Sequence, residues 1–170
     1  MVAPAGAAAG TRARGPRRSA GLLLHRPAPD GGVEVLIAHM GGPFWARRDE
    51  RAWSVPKGEP EEGEDLLAAA RREFTEELGL PVPPGEPVAL GEFRQSGGKV
   101  VSVWALAGDL DVTALRPGTF ALEHPPGSGR VRHHPEVDRA AWVSPGVARA
   151  KLVAGQAPAV DRLLELLAGG

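Results

Sequence analysis

Between Gly58 and Gly79 the chain places Glu64, Arg72, Glu73, Glu76 and Glu77 at spacings that a helix would gather into one working surface. The spacing predicts that helix over about Asp65 to Leu78. Leu67, Ala70, Phe74 and Leu78 recur at three- and four-residue steps and form an apolar stripe for the core. Glu61, Glu62, Glu64 and Asp65 stand at or before the first turn, where the helix dipole favours negative charge. Gly79 can take the left-handed position after the last turn, and Pro81 blocks continuation. At 100° per residue Glu73, Glu76 and Glu77 fall in one patch beside the stripe. Like charges at these spacings cost about 0.2–0.5 kcal/mol per pair, so a cation is expected there. A plain solvated acidic face, with Arg71 and Arg72 as counter-charges, is the alternative. Oxygen-only ligands suit a hard divalent ion, Mg²⁺ or Mn²⁺, which keeps several waters and shares its other positions with a substrate phosphate.

The run GEPEEGEDLLAAARREFTEELGL, Gly58 to Leu80, resembles the Nudix box with no position missing. Seven positions of specified residue type stand at fixed spacings, and at ordinary usage a chance match has a probability on the order of 10⁻⁸ per start site. The resemblance implies that Glu73 and Glu77 are central metal ligands, often joined by Glu76, and that the Gly58 carbonyl commonly adds a backbone ligand. It implies that Glu64 and Arg72 orient the carboxylates. The implied reaction is attack of an activated water on a diphosphate linkage. The general base in such enzymes comes from the box or from a later glutamate. Glu76 is the first expectation, Glu123 is the alternative, and Glu136 is a further candidate.

The elements that must position these groups can be read around the box. Ser19 to Arg26 and Val33 to Met40 read as strands joined across a Pro/Asp/Gly-Gly turn, and Trp53 to Pro56 as a short strand entering Lys57-Gly58. Val88 to Gln95 and Lys99 to Leu106 read as a hairpin around Ser96-Gly97-Gly98. Asp109 to Pro135 reads as irregular apart from a strand at Thr119 to Glu123. A last strand at Ala140 to Val143 precedes one or two C-terminal helices, the final one carrying Val160, Leu163, Leu164 and Leu167. This alternation predicts an α/β fold with a mixed sheet flanked by helices, which the resemblance sharpens to the Nudix α/β/α sandwich with the box as a loop–helix–loop.

The 170 residues, 42% hydrophobic, suffice for one domain, expected over residues 19–170 after a Pro/Gly-punctuated tail, residues 1–18, that reads as disordered. A net charge of −1 offers no global field for a nucleic acid polymer or an anionic membrane, so local cations must hold any phosphates. The chain has no cysteine. No apolar run approaches the length of a bilayer span, the first residues lack the pattern of a signal peptide, and a cytoplasmic location is expected.

Substrate choice lies outside the box. WSVPKGEPEEGE resembles the approach to the box in Nudix enzymes of dinucleoside polyphosphates and diphosphoinositol polyphosphates, which often carry a lysine in a strand like KVVSVWAL. Lys57 and Lys99 are therefore the expected phosphate contacts. Trp45, with Phe44 before it and Arg47 and Arg48 after it, could stack a base while the arginines hold phosphates. Enzymes of diadenosine substrates often stack the base on a downstream tyrosine, and this chain has none. Trp53, Trp104 and Trp142 read as core. Phe93 reaches a pocket only if its strand register allows. His133-His134 reads as solvent-facing and His39 as structural. The favoured substrate is a dinucleoside polyphosphate, with nucleoside triphosphates, diphosphoinositol polyphosphates and nucleotide sugars as alternatives. A non-catalytic Nudix-fold sensor is the competing class. The oligomeric state cannot be read from the sequence.

Overall fold

The computed structural model describes residues 15–170, so most of the expected tail lies outside the described residues. β1 (Arg18–Pro27) is followed by β2 (Val33–Met40), β3 (Trp53–Ser54) and β4 (Lys57–Gly58), then by helix α1 (Leu66–Leu78). β5 (Val88–Arg94), β6 (Val100–Ala107), β7 (Thr119–Glu123), β8 (Val131–Pro135) and β9 (Val137–Val143) complete the strands. α2 (Pro145–Lys151) and α3 (Ala157–Ala168) close the chain.

The main sheet runs β3-β2-β1-β6-β5, with β4 on β1 and β9 on β2. It is mixed: β1 pairs in parallel with β6 along its length, and its pairings with β2 and β4 are antiparallel. Side-chain alternation on β1 splits the core in two. Leu22 and Leu24 join Leu36 under α1, against Ala70, Phe74 and Leu78. Leu23 joins Val35, Ile37 and Val103 on the other face, under Leu152 at the end of α2 and Val160 and Leu163 of α3. The α/β/α layering expected from the sequence is therefore present.

Local expectations hold for α1. Asp65 caps it by accepting from Ala68 N at 3.1 Å, and Gly79 ends it at φ 65° with its N–H on Thr75 O. Elsewhere there are differences. β1 begins at Arg18, one residue before the expected domain boundary. The region expected to be irregular to Pro135 contains a second strand, β8, because VRHHP finds its pairing partner in Thr119–Glu123 across a turn. Its alternation is too weak to announce it. The last strand starts at Val137, three residues early, where Val137 pairs with Met40. The strand expected at Trp53–Pro56 is shortened to Trp53–Ser54, which pairs with β2, and Lys57–Gly58 beyond it forms a separate strand on β1. Lys99 lies at the end of the β5–β6 turn and not within the strand.

Candidate active site

The box helix and β4 meet at Gly58. A Cβ built on Gly58 would lie 1.9 Å from Cδ and 2.1 Å from Oε2 of Glu73, so the main chain approaches this carboxylate as only glycine allows. Next to it, Glu77 Oε2 accepts from Lys57 N at 3.1 Å. β4 is held in turn by β1, with Gly58 opposite Ala20 and Lys57 opposite Gly21.

Arg72 organises the outer carboxylates. Its Nε and Nη2 each donate to one oxygen of Glu64 at 2.9 Å, and its Nη1 donates to Glu73 Oε1 and Glu76 Oε2 at 3.0 Å. Nη2 also reaches Glu59 O at 3.1 Å. The fork on Glu64, helped by the Glu61 N–H, holds the Glu64 carboxyl down at about 2. Deeper in, the balance reverses. Burial raises the Glu77 carboxyl to about 7, against the pull of the Lys57 charge and N–H and with repulsion from Glu136 and Glu73 added. Burial also raises Glu73, opposed by Arg72 and reinforced by Glu76 and Glu136.

Glu136 arrives there because the orphan carbonyls at the end of α1 need donors. Gly118 N donates to Glu76 O at 3.0 Å and Arg116 N to Leu78 O at 2.8 Å, while Glu136 N donates to Gly118 O at 2.9 Å. A Cβ on Gly118 would stand 3.2 Å from Glu76 O and 3.5 Å from Glu136 Oε2. Glu123 is placed differently. It sits at the far end of β7, a strand length of roughly 14 Å from Thr119, and accepts from Gly129 N at 2.6 Å within its own hairpin. Of the two later glutamates the sequence offers, Glu136 is the one brought to the box.

The oxygen donors fit a hard divalent ion. Glu73 and Glu77 are carboxylates whose ionised forms are disfavoured by burial, and Gly58 brings its backbone against Glu73. Among the described residues no three His, Asp or Glu side chains form a ready cage. A hard divalent ion held by few protein ligands would complete its shell with waters and substrate oxygens.

Beside this junction lies a cavity of about 310 Å³, with Met40, Trp45, Lys57, Gln95, Lys99 and Gln156 in its wall. Three of the five expected substrate contacts, Lys57, Lys99 and Trp45, thus come together. Burial lowers the Lys99 ammonium, and the Lys57 charge adds to this. Arg47 and Arg48 are exposed and do not line the cavity. Arg48 lies 4.3 Å from the centre of the exposed Phe44 ring, and that ring meets Trp45 edge to face at 4.8 Å. Phe93 turns into the core.

His39 is fully buried, with Nδ1 2.8 Å from Asp138 Oδ1 and Nε2 2.6 Å from Arg48 O, so both ring nitrogens are used in tying the 41–52 loop to the sheet. His133 is exposed and His134 packs on Phe120. Gln95 and Gln156 have no motif around them, and the sequence carried no signal for them. A larger cavity, about 850 Å³, opens at the opposite end of β1 among His25, Arg26 and Asp109, away from every box residue.

Comparison with known proteins gives the family and the fold. A curated relative, the RNA pyrophosphohydrolase of Caulobacter vibrioides, is 43% identical over 61 residues, which cover 33% of this chain and 33% of the relative. The chain thus spans about a third of the length of the curated relatives it matches. The Nudix hydrolase RenU of M. smegmatis is 26% identical with a TM-score of 0.56, covering 94% of this chain and 91% of that one. A C. elegans Ap4A hydrolase in a binary complex has a TM-score of 0.58 at 23% identity, covering 91% and 99%. The NUDIX domain of Shewanella oneidensis NrtR in complex with ADP ribose reaches 0.63 at 17% identity, covering 91% and 90%. The family model described as NUDIX domain matches residues 15–163, and the chain belongs to the Nudix family.

Proposed function

We propose that this chain is a divalent-metal-dependent pyrophosphohydrolase of nucleotide-type diphosphates, with a dinucleoside polyphosphate as its favoured substrate. The observation that carries the reading is the junction at Gly58, where the partly buried Glu73 carboxylate closes on the glycine main chain and Glu77 accepts from Lys57 N, next to a lysine-lined cavity. Glu73, Glu77 and the Gly58 carbonyl would hold Mg²⁺ or Mn²⁺. Such an ion, when bound, polarises the phosphoryl oxygens and makes water a stronger nucleophile.

The chain's own residues do the rest. Arg72 fixes Glu64, Glu73 and Glu76 relative to one another, so the ligating oxygens are oriented before substrate arrives. Lys57 and Lys99 take the charge of the phosphates beyond the box. Glu76 Oε2 is engaged by Arg72, whereas Glu136 faces the Glu73/Glu77 pair without an ion-pair partner among the described residues. Glu136 is therefore the better-placed group to accept the proton of the attacking water, ahead of Glu76 and Glu123.

The likeness to the C. elegans Ap4A hydrolase supports the dinucleoside branch. A second reading, hydrolysis at the 5′ end of an RNA, draws on the 61-residue match to the RNA pyrophosphohydrolases. It draws also on the exposed Arg130 and Arg132 of the hairpin that stems from Gly118. Product analysis in ¹⁸O-water separates the branches. Label is expected in a phosphate of the products of diadenosine tetraphosphate, with higher kcat/KM than for ATP, ADP-ribose or a 5′-triphosphorylated RNA. Lys99→Ala should weaken the tetraphosphate reaction more than that of ADP-ribose. No label from any diphosphate, with ligand retained unchanged, would establish a sensor instead.

A further inference from the structure

The cavity beside the box has a floor whose polarity is set by one backbone group. Val55 N donates to Gln156 Oε1 at 2.8 Å, and both residues are fully buried. A buried N–H requires an acceptor, so the oxygen end of the Gln156 amide is assigned by the backbone. Its Nε2 then faces the other way, donating at 3.1 Å to Ser54 Oγ and at 3.1 Å to Gln95 Oε1. The oxygen end of Gln95 is thereby engaged. The Nε2 of Gln95 has no partner among the described residues, and Gln95 lines the cavity beside Lys99.

This fixed orientation decides what the cavity can recognise. A free glutamine reads adenine by using both amide ends at once, donating to N7 and accepting from N6. Gln95 Oε1 is turned toward Gln156 Nε2, which takes one of its two lone pairs and leaves the amide presenting its donor end. Guanine offers two neighbouring acceptors, O6 and N7, on the corresponding edge, and no carboxylate lines the cavity to accept from an amino group. Trp45 and Met40 supply apolar walls suited to a flat ring, and Lys57 marks the side nearest the metal-binding carboxylates.

We propose that this cavity takes a nucleobase end of the substrate and that Gln95, held by Gln156, selects guanine over adenine. The proposal rests on the diphosphate-hydrolase reading for what enters the site, and its test separates the two. GMP and AMP contain no diphosphate to cleave, so their equilibrium binding to the wild-type protein with Mg²⁺ reads the base alone. GMP is expected to bind about tenfold tighter, the scale of one well-made base contact. Gln95→Glu replaces the free donor with an acceptor and should bring the ratio to one or below. Gln95→Met, similar in length and without the amide, should abolish the preference without reversing it, and guards against a misfolded first variant.

The kcat/KM ratio of diguanosine to diadenosine tetraphosphate should move in parallel. Equal binding of GMP and AMP by the wild type, or a ratio that neither Gln95 variant changes, overturns the proposal while hydrolysis of both tetraphosphates leaves the hydrolase reading standing. A GMP preference that Gln95→Glu removes, in a protein that hydrolyses no diphosphate, supports the cavity and overturns the hydrolase.

Discussion

Two arginines at opposite ends of the sheet each serve several acidic groups, with different results. Arg26, at the end of β1, pairs with Glu34 at 2.9 Å and Asp109 at 2.7 Å and lies 4.2 Å from the centre of the Trp142 ring. Its surroundings are half-open, and Asp109 is largely in water. Arg72, beside β4, pairs with Glu64, Glu73 and Glu76, yet Glu77 and Glu136 stand behind it with Lys57 as the other nearby cation. The first cluster is settled by its own groups and by solvent. The second retains negative charge in a partly buried place, which is what a divalent ion would relieve.

Loss of that charge should give the largest effect. Glu73→Gln or Glu77→Gln is expected to lower kcat/KM by about a thousandfold or more with the fold intact by circular dichroism, since a transition-state electrostatic contact is removed. Persistent turnover in the double variant, or after thorough chelation, would break the contrast at its root. Gly58→Ala comes next. The added methyl must push Glu73 aside, and a shift of about 1 Å at the reacting groups costs about a hundredfold in rate, measured as kcat/KM alongside thermal unfolding.

The two arginines themselves provide the sharpest comparison. Arg72→Gln is expected to lower activity about tenfold to a hundredfold, by letting Glu73 and Glu76 drift. Arg26→Gln should leave kcat/KM within about twofold and stability within about 1 kcal/mol, the scale of exposed ion pairs. Equal effects of the two would show that Arg72 is an ordinary surface pair.

The box cluster also makes a pH prediction. Glu77 has a folded value of about 7, above its ordinary 4.5, so its contribution to stability is complete below about 4.5 and is lost as pH rises through about 7. Metal-free protein should therefore unfold at a lower temperature at pH 8 than at pH 5.5. Glu64, held at about 2 against 4.5, acts in a separate window: its contribution is present above about 4.5 and is lost as pH falls toward 2. Saturating Mg²⁺ should reverse the first trend, because the ion binds the deprotonated carboxylates. Calorimetry with and without EDTA checks both signs, and a flat metal-free profile between pH 5.5 and 8 would contradict the buried charge.

How much of this was readable in the sequence follows from how local each feature is. The box was legible because one helix carries it and helical spacing converts sequence distance into spatial distance. Lys57 was legible for the same reason, being next to Gly58. The choice between Glu123 and Glu136 was not, because it depends on which N–H groups satisfy the end of α1. The pairing of β8 was hidden by its charged, histidine-rich composition. Gln95 and Gln156 were silent, since a relay between the β5–β6 turn and the start of α3 has no sequence period. Arg47 and Arg48 looked as plausible as Trp45, and only the course of the 41–52 loop turns them outward.

The parallel pairing of β1 with β6, Arg18 beside Val100 through His25 beside Ala107, has a consequence in time. The segment that holds β4, and with it Lys57 and Gly58, lies near the start of the chain, while the strand that covers its other edge comes after the entire box. Long-range parallel pairing closes a large loop before it is rewarded, and such contacts form slowly. During synthesis the box segment is therefore made before the strand that completes its support. Refolding followed by metal binding should show the site appearing with the slowest phase of sheet formation, after the helix signal has already returned.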